Sequence, residues 1–140
     1  MIKVSKLADY AVVVLAALAA RDGKAVPAAE LSQITGLPQP TVAKVLKQLA
    51  KAGIIDSARG VQGGYTLVAD SKELSVETII TAIDGPVRVT ECADNHVSCM
   101  ASDMCQLHGR WAPVNRALKS ALASVSLADL MRRASVDRAA

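Results

Sequence analysis

The sequence predicts a mainly α-helical protein with one small β-hairpin. Three observations support this fold class. Apolar residues recur at helical spacing in several segments, glycine or proline separates these segments, and two short β-prone segments flank a glycine-rich turn. The chain has 140 residues, of which 51% are hydrophobic, so one compact domain with its own core can form.

Serine and proline mark the starts of the first two predicted helices. Ser5 can cap a helix that extends to about Arg21, because its hydroxyl can accept a backbone N–H that the first turn leaves unpaired. Pro27 opens a second, shorter helix, in which Leu31 and Ile34 are expected to face inward.

A third helix is predicted from Pro40, a residue that suits a first helical turn, to Ala52. Apolar residues recur in it at i, i+3, i+4 and i+7 and predict one buried face: Val42, Val45, Leu46 and Leu49. Residues 54–58 and 65–69 then predict two strands, joined by the glycine-bearing turn RGVQGG.

The C-terminal half is also predicted to be mainly helical. Ser75 can cap a fourth helix. A longer helix is expected over 105–125, and Pro113 indicates that its regular part begins near Ala112 or kinks there. Ser126 can cap a last short helix.

Composition excludes several classes of protein. No apolar run reaches the ~18 residues of a membrane span, and residues 11–20 lack the basic flank and processing site of a signal peptide. An odd number of cysteines without a secretion signal argues against a disulfide framework. We therefore expect a cytoplasmic protein. Its net charge of +3 is uneven, since residues 71–109 are acidic and the stretches on both sides are basic.

Two helices joined by the turn GLPQP and followed by a hairpin have the order of a winged helix-turn-helix, in which the second helix of the pair enters the major groove of DNA. The outer face of the third helix carries side chains that can bond to bases or phosphates: Gln39, Thr41, Lys44, Lys47, Gln48 and Lys51. Arg59 at the hairpin suits a minor groove or a phosphate. We favour duplex DNA over a merely solvated surface, and over single strands, which need aromatic stacking platforms.

All three cysteines and both histidines lie within residues 91–109, with the spacing C-x6-C-x5-C-x2-H. Thiolates are soft ligands for zinc, copper or iron–sulfur clusters. Cys105 and His108 are three residues apart at a predicted helix start, so both can face one site. The alternatives are a Cys3His zinc site, a thiol redox switch, small buried residues and a Cys–His nucleophile. The open spacing disfavours zinc, and polar neighbours disfavour burial.

Four segments together carry a resemblance to a known family: SKLADYAV near the start, RGVQGGY at the hairpin, SVETIITAID after it, and the triplet Cys92, Cys99 and Cys105. In these segments the sequence resembles the winged-helix iron–sulfur regulators typified by IscR and NsrR. The resemblance spans nearly the whole chain and implies a homodimeric transcriptional regulator, not an enzyme. SKLADYAV looks most like the subgroup that regulates the sulfur-mobilisation system of cluster assembly.

The resemblance also implies roles for individual residues. In members of this family, residues at the start of the third helix and an arginine of the hairpin contact the bases. The corresponding residues here are Pro40, Thr41, Ala43, Lys44 and Arg59. Since Pro40 and Ala43 are poor hydrogen-bonding residues, we expect an operator that differs from that of IscR-like relatives. The helix over 112–125 is expected to pair with its copy in a partner chain through an apolar stripe: Val114, Ala117, Leu118, Ala121, Leu122 and Val125.

The fourth ligand of the implied cluster is open between two residues. His108 matches the histidine of IscR-like relatives, whose clusters are of the 2Fe–2S type. Asp9 matches the carboxylate that NsrR-like relatives donate from the partner's first helix to a 4Fe–4S cluster. We favour His108, and with it 2Fe–2S, because His108 is close in sequence to Cys105. His96 is a third candidate without a counterpart in the family.

These expectations divide the chain into a DNA-binding winged helix-turn-helix over 1–85, a cluster-binding loop over 86–109, and a dimerisation helix with a short last helix over 110–140. The expected function is that of a repressor that senses iron–sulfur cluster status and controls cluster-assembly genes. One alternative is a family member that responds to nitric oxide or redox state. Others are a winged-helix repressor with zinc or no metal, and a protein-interaction module that does not bind DNA.

Overall fold

The computed structural model describes residues 1–93 and 104–132, and along them it has helices and one hairpin in the predicted order. The elements are α1 (Lys6–Ala19), α2 (Ala28–Thr35), α3 (Gln39–Lys51), β1 (Ile55–Ala58), β2 (Gly64–Leu67), α4 (Val76–Asp84) and α5 (Ala112–Ala123). A 3-10 turn occupies Glu91–Ala93, and a further helical segment begins at residue 127. This architecture confirms the predicted fold class. No helix in the described part of the chain is long and apolar enough to cross a membrane.

Two helices start at the serines that the sequence predicts as caps. The Oγ atom of Ser5 accepts the N–H of Ala8 at 3.1 Å, and the Oγ atom of Ser75 accepts that of Thr78 at 3.1 Å. Both bonds satisfy donors that a first helical turn leaves unpaired. α2 and α3 instead begin after prolines, whose fixed φ suits the entry to a helix.

α1 lies at the centre of the core, where it packs against α2, α3 and α4. The four predicted inward residues of α3 are fully buried. The largest fully enclosed side chains come from several elements: Leu15, Leu31, Leu46, Leu49, Ile79 and Leu127. Burial of each of these side chains stabilises the fold by about 1.5–3 kcal/mol. The buried residues of α3 therefore fix which face of this helix points away from the core.

One residue of α2 that was predicted to face inward is exposed. Leu31 is fully buried as expected, but Ile34 is 45% exposed. The helix ends at Thr35 and the chain reverses at Gly36, which has a φ of 73°. Leu37 of this turn then packs against the core. The prediction for Ile34 was wrong because the turn supplies the apolar side chain that helical spacing assigned to α2.

The C-terminal helix is shorter than the predicted 105–125, since α5 begins at Ala112 and ends at Ala123. Residues 106–111 form successive turns instead. Pro113 lies in the first helical turn, where its missing N–H would have had no partner. The expectation that the regular helix begins near Ala112 is therefore confirmed.

A backbone bridge anchors the hairpin, which we call the wing, to the loop before α2. β1 and β2 are antiparallel, with Ile55 opposite Leu67. The N–H of Val26 donates to the carbonyl of Tyr65 at 3.0 Å, and the N–H of Tyr65 donates back at 2.9 Å. A Cβ at Gly64 would lie 2.5 Å from the carbonyl carbon of Val26, so only glycine fits there.

The segment after α5 returns to the core beside α4. The N–H of Val76 donates to the carbonyl of Val125 at 2.9 Å, and the N–H of Leu127 donates to that of Leu74 at 2.8 Å. Ser126 caps the last helix as predicted, because its Oγ accepts the N–H of Asp129 at 3.1 Å. We call the predicted cluster-binding loop, residues 86–109, the cysteine segment. The three-part division of the chain remains a proposal about roles, since residues on both sides of this segment share one core.

Candidate functional site

The outer face of α3 is positively charged. Lys44 and Lys47 are exposed, as are Gln39, Pro40 and Ala43, while Thr41 is half-buried. The sequence of α3, QPTVAKVLKQLAK, contains three lysines and no acidic residue. A helix with this charge, at the second position of a helix-turn-helix, is suited to the phosphate-lined major groove.

Gln48 does not point away from the core as the sequence suggested. Its side chain is half-buried, and its Oε1 atom is enclosed without a hydrogen-bond partner. Gln48 lines a cavity of about 370 Å³ together with Ala82 of α4. The cause is rotational: at about 100° per residue, position 48 falls on the flank of α3 rather than opposite its buried face.

Arg59 follows β1 directly and is exposed at the wing. It lines an open pocket of about 550 Å³ that also includes Ala28 at the start of α2 and Tyr65 of the wing. The tip residue Val61 is fully exposed. Because the bridge to Val26 holds this hairpin, Arg59 projects from an anchored turn rather than from a free loop.

Cys92 lies in the 3-10 turn and is half-buried. Its Sγ atom is 3.5 Å from the Oγ1 atom of Thr90. This hydroxyl, and next the backbone N–H of Gly109, hold the pKa of the Cys92 thiol below its ordinary value of 9.0. The contact with Gly109 joins the 3-10 turn to the turns before α5.

Cys105 and His108 lie within those turns, and both side chains are exposed. The N–H of His108 donates to the carbonyl of Cys105 at 3.2 Å, so the two residues belong to one tight turn. Since Gly109 is the neighbour of His108, the structure brings this turn close to Cys92.

The other candidate ligands are separate from this group or undescribed. Cys99 and His96 lie outside the described residues. Asp9 is exposed in the first turn of α1. Within residues 1–93 and 104–132, no three Cys, His, Asp or Glu side chains are close enough to hold a metal ion.

Asn115 was not predicted as a functional residue, yet it ties the cysteine segment to α5. Its side chain is only 3% exposed, and its Oδ1 atom accepts the backbone N–H of Val89 at 3.0 Å. A sequence signal exists, since Asn115 shares a helical face with Leu118 and Leu122, at i, i+3 and i+7. A polar residue among these apolar positions indicates a specific buried partner.

An apolar face of α5 is uncovered in the single chain. Val114, Ala117 and Ala121 are exposed, whereas Leu118 and Leu122 are half-buried. The last two line a groove of about 320 Å³ whose other walls include Ile2, Val4 and Ile80. This groove lies along the stripe that the sequence predicts as a dimer contact.

Comparison with known proteins identifies similar regulators along the chain. The sequence profile of the Rrf2 family, described as an iron-dependent transcriptional regulator, matches residues 4–133. The HTH-type transcriptional regulator IscR of Vibrio atlanticus is 30% identical over 131 residues, which cover 93% of this chain and 75% of that protein. IscR of Yersinia enterocolitica is 33% identical over 115 residues, which cover 82% and 69% respectively.

Solved structures of such regulators share the fold. IscR of T. potens superposes with a TM-score of 0.69 and 27% identity, over 95% of this chain and 88% of that one. CymR of B. subtilis, described as the global cysteine regulator, superposes with a TM-score of 0.70 and 25% identity, over 95% and 98%. These proteins confirm the winged-helix architecture, and as regulators they confirm the expectation that this chain is not an enzyme.

Proposed function

Because the chain belongs to the Rrf2 family of DNA-binding transcriptional regulators, we propose that it represses its operators as a homodimer whose affinity depends on an iron–sulfur cluster. Genes of cluster assembly are the proposed targets, and the cytoplasm is the proposed location. One observation carries the cluster proposal. The backbone N–H of Gly109 is close enough to the Cys92 thiol to help lower its pKa, so Cys92 lies near the turn that contains Cys105 and His108.

The proposed ligands are Cys92, Cys99, Cys105 and His108, with Asp9 as the alternative fourth ligand. The described donors suit a cluster, because thiolates are the form that binds metal and the surroundings of Cys92 favour its thiolate. Cys105 and His108 are exposed and therefore accessible. A bound cluster would supply a centre sensitive to iron supply, oxygen and nitric oxide. We favour 2Fe–2S over 4Fe–4S, because His108 matches the histidine of IscR-like relatives, whose clusters are of the 2Fe–2S type.

A hydrogen bond connects the cysteine segment to α5. Val89 lies three residues before Cys92, and its N–H is held by Asn115 of α5. A change in the 92–108 segment would therefore alter the packing of α5. If α5 pairs across the dimer, such a change alters the spacing and angle of the two α3 helices, and with them the operator affinity.

Anaerobic purification tests the cluster and its ligands. We expect a coloured, iron-containing protein, in which His108→Ala changes the visible spectrum and iron retention more than Asp9→Ala does. Gln106→Ala, an exposed neighbour in the same turn, is the matched control and should retain the spectrum. The reverse order of the first two variants would favour Asp9 and a 4Fe–4S cluster. A colourless protein that binds DNA identically after chelation would favour the zinc or metal-free repressor.

The salt dependence of binding tests the DNA-binding function separately. Each phosphate contact contributes about 0.9 to the slope of log K against log salt concentration. We expect Lys47→Ala and Arg59→Ala each to reduce this slope by about 1. Lys72→Ala, an exposed lysine in the segment before α4, should leave it unchanged. A flat salt dependence, with Lys47 and Arg59 dispensable, would favour the protein-interaction module.

A further inference from the structure

The N-terminal half of α3 presents an apolar edge among its lysines. Pro40 and Ala43 are both exposed. At about 100° per residue, one arc of about 60° lies opposite the buried face of α3. It contains Pro40, Lys44, Lys47 and Lys51. Ala43 borders this arc on one side, so its methyl group lies beside the ring of Pro40 on the face that a DNA groove would meet.

The same part of α3 has few side chains that could bond to a base edge. Gln48, further along the helix, could pair with adenine, but its Oε1 atom is enclosed beside α4. Thr41 is half-buried, whereas Gln39 and Lys44 are exposed. Only apolar contact is available to Pro40 and Ala43. In the major groove the one base feature that such contact recognises is the C5-methyl group of thymine.

We propose that Pro40 and Ala43 contact thymine C5-methyl groups in the major groove, next to a purine contacted by Lys44. This inference rests on the proposed DNA-binding function and specifies part of the operator. Side chains at i and i+3 are about 5–6 Å apart, and successive base pairs rise by about 3.4 Å. Pro40 and Ala43 can therefore contact neighbouring base pairs, as N-terminal residues of a recognition helix do.

Deoxyuridine tests this inference, because it differs from thymidine only by the methyl group. The full chain, purified anaerobically, is first used to enrich binding sequences from a random duplex pool. Each enriched thymine is then replaced singly by deoxyuridine, and Kd is measured. Loss of one buried methyl group predicts about fourfold weaker binding. We expect this loss at one or more positions for the unmodified chain.

Variants of α3 assign the effect to its residues. Pro40→Ser and Ala43→Ser should each bind the thymine and deoxyuridine duplexes almost equally at the thymine that the replaced residue contacts, and should retain the difference at the other thymine. Ala50→Ser, at an exposed alanine in the last turn of α3, should retain the about fourfold difference of the unmodified chain. A chain that enriches a sequence but is indifferent to every methyl group would overturn the inference alone. So would a methyl dependence that neither Pro40→Ser nor Ala43→Ser abolishes at any position. A chain that enriches no sequence would contradict the DNA-binding function as well.

Discussion

Replacing Asn115 by alanine should loosen the cysteine segment from α5. Asn115 is the one buried polar residue that the described part of the chain contributes to its interior. It accepts the N–H of Val89 across a sequence separation of 26 residues. Asn115→Ala removes this acceptor and leaves the N–H of Val89 without its partner.

The magnitude follows from the burial of the two groups. A buried donor left without a partner costs about 1–3 kcal/mol. Val89 is only half-buried, so water can partly replace the lost acceptor. We therefore expect the free energy of unfolding to fall by about 1–2 kcal/mol. For a chain of this size, that change lowers Tm by roughly 3–7 °C.

Thermal unfolding and hydrogen exchange measure this effect. Both are performed on cluster-free protein at one protein concentration, because bound cofactor and dimerisation would shift Tm on their own. Arg116→Ala, at the exposed neighbouring position of α5, is the matched control and should change neither measurement. The reasoning is refuted if Asn115→Ala unfolds within about 1 °C of the unmodified chain, or if the Val89 amide keeps its protection from exchange.

Three further predictions concern the wing and the helix caps. Gly64→Ala should destabilise the fold by about 2–3 kcal/mol in urea unfolding, because its Cβ would overlap the backbone of Val26. Ser75→Ala should cost about 1 kcal/mol by the same measurement, because it removes the cap of α4. The N–H of Ser126 is the main cause that holds the pKa of Asp129 below its ordinary 3.8, so the ionised carboxylate stabilises the fold above that pH. The Tm difference between the unmodified chain and Asp129→Asn should therefore shrink as the pH falls below 3.8.

Matched variants separate these effects from general surface changes. Gln62 is exposed at the wing tip, so Gln62→Ala should unfold at the same urea concentration as the unmodified chain. If Gly64→Ala is as stable as the unmodified chain, its Cβ does not overlap the backbone of Val26. Ser75→Thr keeps a hydroxyl group and should retain most of the capping stabilisation. If Ser75→Thr and Ser75→Ala lower the free energy of unfolding equally, capping is not the cause. A pH-independent difference for Asp129→Asn would contradict its ionised role.

Features that depend on neighbouring residues were predictable from the sequence. The caps at Ser5 and Ser75, the buried face of α3 and the start of α5 near Ala112 all follow from spacing within one or two helical turns. The candidate site residues could also be proposed from the sequence, because the residue types Cys, His and Lys indicate which chemistry is available. Their roles in cluster and DNA binding remain predictions.

Tertiary structure decided which side chains of these elements are exposed and which distant segments they contact. The position of α4 beside the flank of α3 encloses the Oε1 atom of Gln48, and the turn at Leu37 left Ile34 exposed. The bond from Val89 to Asn115 and the proximity of Gly109 to the Cys92 thiol connect segments that are far apart in sequence. Hydrophobic periodicity describes one element at a time, whereas these contacts arise only when the whole core has set the elements against one another. The sequence alone therefore determined the order of the elements and the chemistry available. The packing of α3, α4 and α5 decided which groups can act together.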